Sequence, residues 1–206
     1  MLPKKKNQTF EIILGSSSLA RRRILADMGY HFQIMIADID EKSIRMEKAE
    51  DLVMALAEAK ADAILLKLHD RDQFQLKSSP TLLITADTVV VHGGIVREKP
   101  SSNEEARQFI RDYSGSSTRV LGSVVVTNLV TGCRRGGWES AEVYFLDIPD
   151  EVIDSLIEEG MILNVAGGLM LEHPLTLPLI DTVIGTADCV MGLSKSLTEK
   201  LIQEAL

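Results

Sequence analysis

The sequence predicts a mixed α/β fold in which helices surround a twisted, partly antiparallel sheet. Three observations predict it. Short apolar runs bounded by turn residues, such as Phe10–Gly15 and Thr81–Val91, read as buried strands. Longer amphipathic stretches with end caps alternate with them, the pattern of helices laid on a sheet. Finally, Gly93-Gly94 and the segment TGCRRGG (Thr131–Gly137) each reverse the chain between β-rich runs, so part of the sheet must be antiparallel.

Taken in order, Phe10–Gly15 (FEIILG) is a buried strand and Ser16-Ser17-Ser18 a turn that ends in a helix N-cap. The helix that follows runs to about Met28 and stops at Gly29, a C-cap signal. His31–Ile36 reads as a second strand, Asp38–Lys42 as an acidic loop, and Asp51 to about Leu68 as a strong amphipathic helix. The polar stretch His69–Pro80 reads as a surface loop. Thr81–Val91 is a central strand, which Gly93-Gly94 turns back into Ile95-Val96. Pro100 and Ser101 start a helix to about Tyr113, and Thr118–Asn128 with Trp138–Leu146 make a hairpin. Pro149–Glu159 is helical with proline in its first turn, Gly167-Gly168 is a tight turn, and Ser194–Leu206 is a terminal helix.

Composition narrows the class. At 206 residues the chain is long enough to bury a core as one domain. Hydrophobic residues at 45% and charged residues at 25% match an ordinary globular protein and argue against disorder. A net charge of −8 argues against a general nucleic-acid polymer binder, which presents basic surface to phosphates, but leaves room for a small phosphate ligand in one cationic cleft. Cys133 and Cys189 form no C-x-x-C and read as buried thiols, and the four histidines lack metal-ligand spacing. No apolar run is long enough for a membrane span. The start, MLPKKKNQTFEII, is basic but lacks the apolar core of a secretory signal, so a cytoplasmic protein is expected.

Several residues stand where packing alone does not explain them. GSSSLARRRIL joins a strand, a serine turn and a helix N-terminus, an arrangement that receives anions because free N–H groups and the helix dipole point at the ligand. Three arginines in the first helical turns oppose that dipole, at about 0.3–1 kcal/mol each. Helical spacing puts Arg21 on the face of Leu25 and Met28, Arg22 at its margin, and Arg23 four residues before Asp27 as a surface ion pair. Asp87 interrupts an apolar strand, where a carboxylate without a partner costs several kcal/mol, so it binds a cation, caps a turn or moves a proton. Lys60 lies on the apolar Val53–Ala57–Ile64 stripe of its helix, where it must snorkel or reach a ligand. Asp38, Asp40 and Glu41 cluster in the acidic loop. Glu98-Lys99-Pro100 places an acid and a base in an extended segment, and Asn164–Gly168 with Glu172 adds a flexible stretch with a carboxylate.

In order and spacing, ILGSSSLARRRIL, ADIDE, ALAEAKA, ITADTVVV, GGIVREKP, Ser114-Gly115, Ala166–Gly168 and VMGL resemble the Maf-like family of nucleoside triphosphate pyrophosphatases from about Glu11 to Leu201. The resemblance implies an elongated mixed sheet flanked by helices, two lobes with a cleft, related to inosine-triphosphatase-like folds. It implies one such domain over residues 8–206, with residues 1–7 as an extension, and a homodimer. It places Ser16, Ser18, Arg21 and Arg22 on the triphosphate, Asp87 as proton acceptor, Lys60 and Lys99 as catalytic cations, and Glu41 as a further binding acid. Mg²⁺ or Mn²⁺ is expected on Asp87 and Glu41, because hard cations prefer oxygen ligands. The chain departs from the pattern at Glu58, displaced by one, and lacks the usual proline after Leu193.

The implied reaction is attack of water on the α-phosphorus, with pyrophosphate leaving and the monophosphate remaining. A catalytically weak nucleotide-binding regulator of septum formation is the alternative; keeping Asp87 together with Lys60, Lys99 and both arginines favours the enzyme. Positions that separate the family's branches fall at Ala20, Thr88 and Glu172. Thr88 is similar to the branch acting on thymidine and uridine triphosphates, and Glu172 to the branch acting on 7-methyl-GTP. Ala20 stands where the latter carries tryptophan, so a stacking ring is missing and a broadened base site is expected.

Overall fold

The computed structural model describes residues 8–69 and 80–206. The strands are β1 (Glu11–Leu14), β2 (Gln33–Ile34), β3 (Thr81–His92), β4 (Ile95–Arg97), β5 (Ser117–Asn128), β6 (Arg134–Phe145) and β7 (Ile180–Ile184). The helices are α1 (Leu19–Asp27), α2 (Ala49–His69), α3 (Asn103–Tyr113), α4 (Asp150–Glu159), α5 (Ala187–Val190) and α6 (Lys195–Ala205). The strands pair in the order β2-β1-β3-β5-β6-β7, with β4 on β3. β1 is parallel to β2 and β3, whereas the β3–β4 and β6–β7 pairs are antiparallel, so the sheet is mixed as expected. No described helix is long and apolar enough to cross a membrane.

The chain divides into two compact units. The first holds residues up to Asp87, Gly122–Glu139 and Gly192–Leu206; the second holds Thr88–Leu121 and Ser140–Met191. In the first unit, α2 buries Leu52, Val53, Leu56, Ala57, Ala61, Ile64 and Leu68, a stripe at helical spacing. Ala57, Ala61, Ile64 and Leu68 pack with Ile13, Leu83 and Val125 from the strands. Residues 81–87 of β3 are all buried, which is why that strand reads as a nearly continuous apolar run. In the second unit, Val90, Tyr113, Val120, Val143 and Phe145 form the core, with Leu171 and Cys189 among the residues closing it.

Local chemistry explains most boundaries. The Ser18 and Ser102 hydroxyls cap α1 and α3, Gly29 adopts a φ of 85° after α1, and Ser194 caps α6. Some elements differ from the reading of the sequence. β2 spans only Gln33–Ile34, because both residues are exposed and little is buried by extending it. Pro149 is the N-cap of α4 rather than its first turn. β6 begins at Arg134, so the hairpin turn is tighter than TGCRRGG implied, with Asn128 N–H donating to the Cys133 carbonyl at 2.8 Å. β7 and α5 went unseen, since Leu-Pro-Leu before β7 and the short, exposed IDTVI segment carry no clear period. Arg23 is exposed and forms no ion pair with Asp27 among the described residues. Cys189 is buried, but Cys133, beside the hairpin turn, is only partly so. The expected loop over His69–Pro80 and the extension over residues 1–7 fall mostly or wholly outside the described residues.

Gly15 controls the approach of β1 to its neighbours. A Cβ at this position would lie 2.6 Å from Thr85 Cγ2 and 2.7 Å from Ile64 Cδ1. Gly15→Ala should therefore destabilise the protein by about 1–3 kcal/mol through overpacking, read as a lower urea midpoint with an unchanged slope. An unchanged midpoint would show that Ile64 moves aside without cost.

Candidate active site

The site builds outward from Asp87. On β3, alternate residues face α2: the Thr85 hydroxyl donates to the Ala57 carbonyl at 2.8 Å, and Asp87, two residues on, meets Lys60, three residues on along the helix. Lys60 Nζ lies 2.5 Å from Asp87 Oδ1 and 2.8 Å from Glu41 Oε1, so one ammonium joins both carboxylates. The Asp87 and Lys60 side chains are 10% and 12% exposed, while Glu41 is 41% exposed. This is the partner that a carboxylate on a buried strand requires, and it explains why a lysine sits on an apolar helical stripe.

Glu41 is held by local structure. Asp40 Oδ1 accepts from Lys42 N–H at 3.1 Å and caps a short 3₁₀ turn over Glu41–Ser43, while Ser43 Oγ donates back to the Asp40 carbonyl at 2.7 Å. Asp40 is thus a structural cap. Asp87 is fixed from behind: its N–H donates to Ser123 Oγ at 3.2 Å, and that hydroxyl donates to the Val53 carbonyl at 2.6 Å. Ser123 was missed in the sequence. Its signal was present, since it is a polar residue inside an apolar strand, as Asp87 is.

The two arginines do different work. Arg21 Nε donates to the Gly192 carbonyl at 2.8 Å, and its Nη1 donates to the Ala86 carbonyl at 2.9 Å and to Ser16 Oγ at 3.3 Å. It braces the serine turn, β3 and the segment before α6. Burial pulls its guanidinium below the usual arginine value, and the carboxylates of Asp87 and Glu41 pull it back up. Arg22, by contrast, has a buried Nε without a partner among the described residues. The serine turn is itself ordered: Ser16 Oγ accepts from Ser18 N–H at 3.2 Å, and Ser18 Oγ accepts from Arg21 N–H at 3.4 Å.

Ser16, Ser18, Arg21, Arg22, Glu41, Lys60 and Asp87 therefore all belong to the first unit, which brings Glu41, Lys60 and Asp87 into contact. Ala20 is a partly buried residue of α1 in the same unit. Lys99, Thr88 and Glu172 belong to the second unit. Lys99 and Glu172 are exposed, and Thr88, next to Asp87 on β3, points to the opposite face of the strand. The donor chemistry of the first unit fits a divalent cation. Asp87 and Glu41 offer hard oxygen ligands, and magnesium is commonly held by one or two carboxylates with substrate phosphates completing the shell. Among the described residues no group of three or more His, Cys, Asp and Glu could hold an ion by itself.

Comparison with known proteins matches the chain to one family. The family model described as Maf-like protein matches residues 11–205. The chain is 38% identical over 193 residues to the 7-methyl-GTP pyrophosphatase of Dictyostelium discoideum, covering 94% of this chain and 96% of that protein. It is 31% identical over 182 residues to the dTTP/UTP pyrophosphatase of Desulforamulus reducens, covering 88% and 90%. It is 27% identical over 193 residues to the nucleoside triphosphate pyrophosphatase of Salinispora tropica, covering 94% and 83%.

The contrast between the arginines is open to a direct measurement. Arg21→Met removes donors from two carbonyls and a hydroxyl and should cost about 1–3 kcal/mol of stability. Arg22→Met removes an unpaired buried donor together with its desolvation penalty and should leave stability unchanged or raise it by up to about 1–3 kcal/mol. Equal losses in urea denaturation would show that both guanidiniums are structural.

Proposed function

This chain belongs to the Maf-like protein family, and on that footing we propose that it hydrolyses nucleoside triphosphates to the monophosphate and pyrophosphate by attack of water on the α-phosphorus. The observation that carries the reading is the Glu41–Lys60–Asp87 contact beside a serine turn and two arginines. Phosphoryl transfer needs positioned cations for charge on the phosphoryl oxygens and a group that orients or deprotonates water. Asp87 supplies the second: Lys60 occupies its Oδ1, and Oδ2 is left to take the proton of the attacking water. The water oxygen bonds to phosphorus as the bridge to the β-phosphate breaks, and the electron pair leaves with pyrophosphate.

Lys60 pairs with Asp87 and orients it, which gives the carboxylate a partner in an otherwise apolar setting. Arg22 takes phosphate oxygens with its unpaired donor, and Ser16, Ser18 and Arg21 shape the turn that receives them. Lys99 is assigned to the reaction as a further cation through the resemblance. Asp87 and Glu41 would hold Mg²⁺ or Mn²⁺, which when bound would neutralise and polarise the phosphate oxygens.

Among substrates we propose 7-methyl-GTP ahead of UTP and dTTP. The carboxylate of Glu172 can accept two hydrogen bonds from guanine's N1–H and N2–H₂, against one from the N3–H of uracil or thymine. Ala20 supplies no ring for stacking, a contact worth about 1–3 kcal/mol, so the preference is modest. We treat residues 8–206 as one Maf-like domain and propose a cytoplasmic homodimer; a molar mass of one chain by light scattering would remove the dimer.

Two outcomes are expected. With Mg²⁺ or Mn²⁺, a panel of 7-methyl-GTP, GTP, UTP and dTTP yields one pyrophosphate per monophosphate, with 7-methyl-GTP highest in kcat/KM and UTP and dTTP within about a hundredfold of it. Orthophosphate with a diphosphate product would mean attack at the γ-phosphorus and end the proposal. Asp87→Asn lowers kcat by about 10²–10⁴ while the protein stays folded, because asparagine can still accept from Lys60 but cannot take the proton. Near-normal turnover in that variant would return Asp87 to a purely structural role.

A further inference from the structure

We propose that Tyr113 is a positioning residue of this enzyme: its buried hydroxyl clamps the turn at Ala166–Gly168 to the Glu98-Lys99-Pro100 segment and so sets where Lys99 stands. The proposal rests on the reading of Lys99 as a cation of the reaction. All the contacts that carry it lie within the second unit.

The Tyr113 ring is 1% exposed and held on three sides. It stacks on Phe145 with centroids 5.6 Å apart and planes at 16°, meets the edge of His92 at 5.4 Å, and has the Arg97 guanidinium 5.2 Å from its centroid. That guanidinium is itself anchored: it pairs with Asp112, donates to the Phe109 carbonyl at 3.2 Å and covers the Phe109 ring at 4.6 Å. A ring packed this closely can aim its hydroxyl in one direction only, and it donates to the Gly167 carbonyl at 2.8 Å. Burial pushes the Tyr113 phenol up to about 12, against the opposing effect of Arg97, so it remains a donor throughout the neutral range.

Gly167 passes the restraint on. Its N–H donates to the Glu98 carbonyl at 2.9 Å, so one residue is fastened to Tyr113 on one side and to the residue before Lys99 on the other. Only glycine fits there. Its φ is 61°, and a Cβ would lie 2.7 Å from Val90 Cβ and 2.8 Å from the Tyr113 hydroxyl oxygen. Lys99 is exposed, but its backbone is flanked by buried Arg97 and Pro100 and held at the Glu98 carbonyl. A flexible ammonium gains no position from its own side chain, so the peptide beneath it must supply one. Displacing a catalytic group by about 1 Å can cost up to about 10²-fold in rate.

The test is a double-mutant cycle on nucleoside triphosphate hydrolysis with wild type, Tyr113→Phe, Lys99→Ala and the double variant. Phenylalanine keeps the ring packing and removes only the hydroxyl. Expected are a kcat for Tyr113→Phe about tenfold below wild type with KM little changed, and a double variant no slower than Lys99→Ala alone. The Gly167 amide should also exchange with solvent faster in Tyr113→Phe, by NMR under conditions where both proteins are folded. Multiplying losses in the double variant, or normal kcat in Tyr113→Phe beside a slow Lys99→Ala, would overturn the clamp. Normal turnover in Lys99→Ala would instead show that the reading of Lys99 is at fault, and the proposal would fall with it.

Discussion

The first unit is arranged around the contact between the Lys60 ammonium and the carboxylates of Asp87 and Glu41. A carboxylate on a buried strand survives ionised only beside a fixed positive charge, since the effective cost of burying an ion alone is several kcal/mol. That condition reaches far into the fold. α2 must lie along the face of β3 that carries Thr85 and Asp87, which the small residues Ala57 and Ala61 permit by letting the backbones approach. Gly15 must carry no side chain, because Thr85 and Ile64 already fill the space where one would go. The acidic turn must place Glu41 within reach, and Asp40 caps that turn to do so. An ion pair of this kind contributes less to stability than its short distances suggest, because much of the attraction offsets desolvation.

Around that contact, the neighbouring cations differ in how far the protein itself takes up their donors. Arg21 spends its Nε and Nη1 donors on the protein, tying the serine turn to β3 and to Gly192. Arg22 keeps a buried donor unpaired. An unpaired buried N–H is a cost with no structural return, and such costs are commonly found where a ligand is to be received. The same division recurs in the second unit, where Arg97 is consumed by Asp112, Phe109 and the face of Tyr113 while Lys99 stands exposed two residues later. Guanidinium groups suit the bracing role because their planar fork serves several acceptors at once.

Much of this was legible in the sequence, for identifiable reasons. Helices with caps and strong periodicity, such as Ala49–His69 behind its acidic first turn and Leu19–Asp27 between Ser18 and Gly29, appeared where expected. Asp87 and Lys60 stood out because each breaks an apolar pattern, and the pattern is what a sequence shows best. β7 and α5 escaped because both are short and β7 is mostly exposed, so no period accumulates. The role of Arg21 escaped because its partners are backbone carbonyls at Ala86 and Gly192, which any residue could supply and which no side chain announces.

The sequence by itself determined which residues are chemically out of place, and with the order of its short motifs it determined the family and the class of reaction. It could do so because burial of charge and helical spacing are local properties, readable from a few neighbouring residues. Only the tertiary structure decided which charges meet: that Lys60 serves both Asp87 and Glu41, that Ser123 steadies Asp87 from another strand, and that Tyr113 reaches Gly167 across 54 positions of chain. Hydrogen bonds and ion pairs act over about 3 Å. Which atoms come that close is settled by the packing of helix on sheet, to which residues far apart in sequence contribute together.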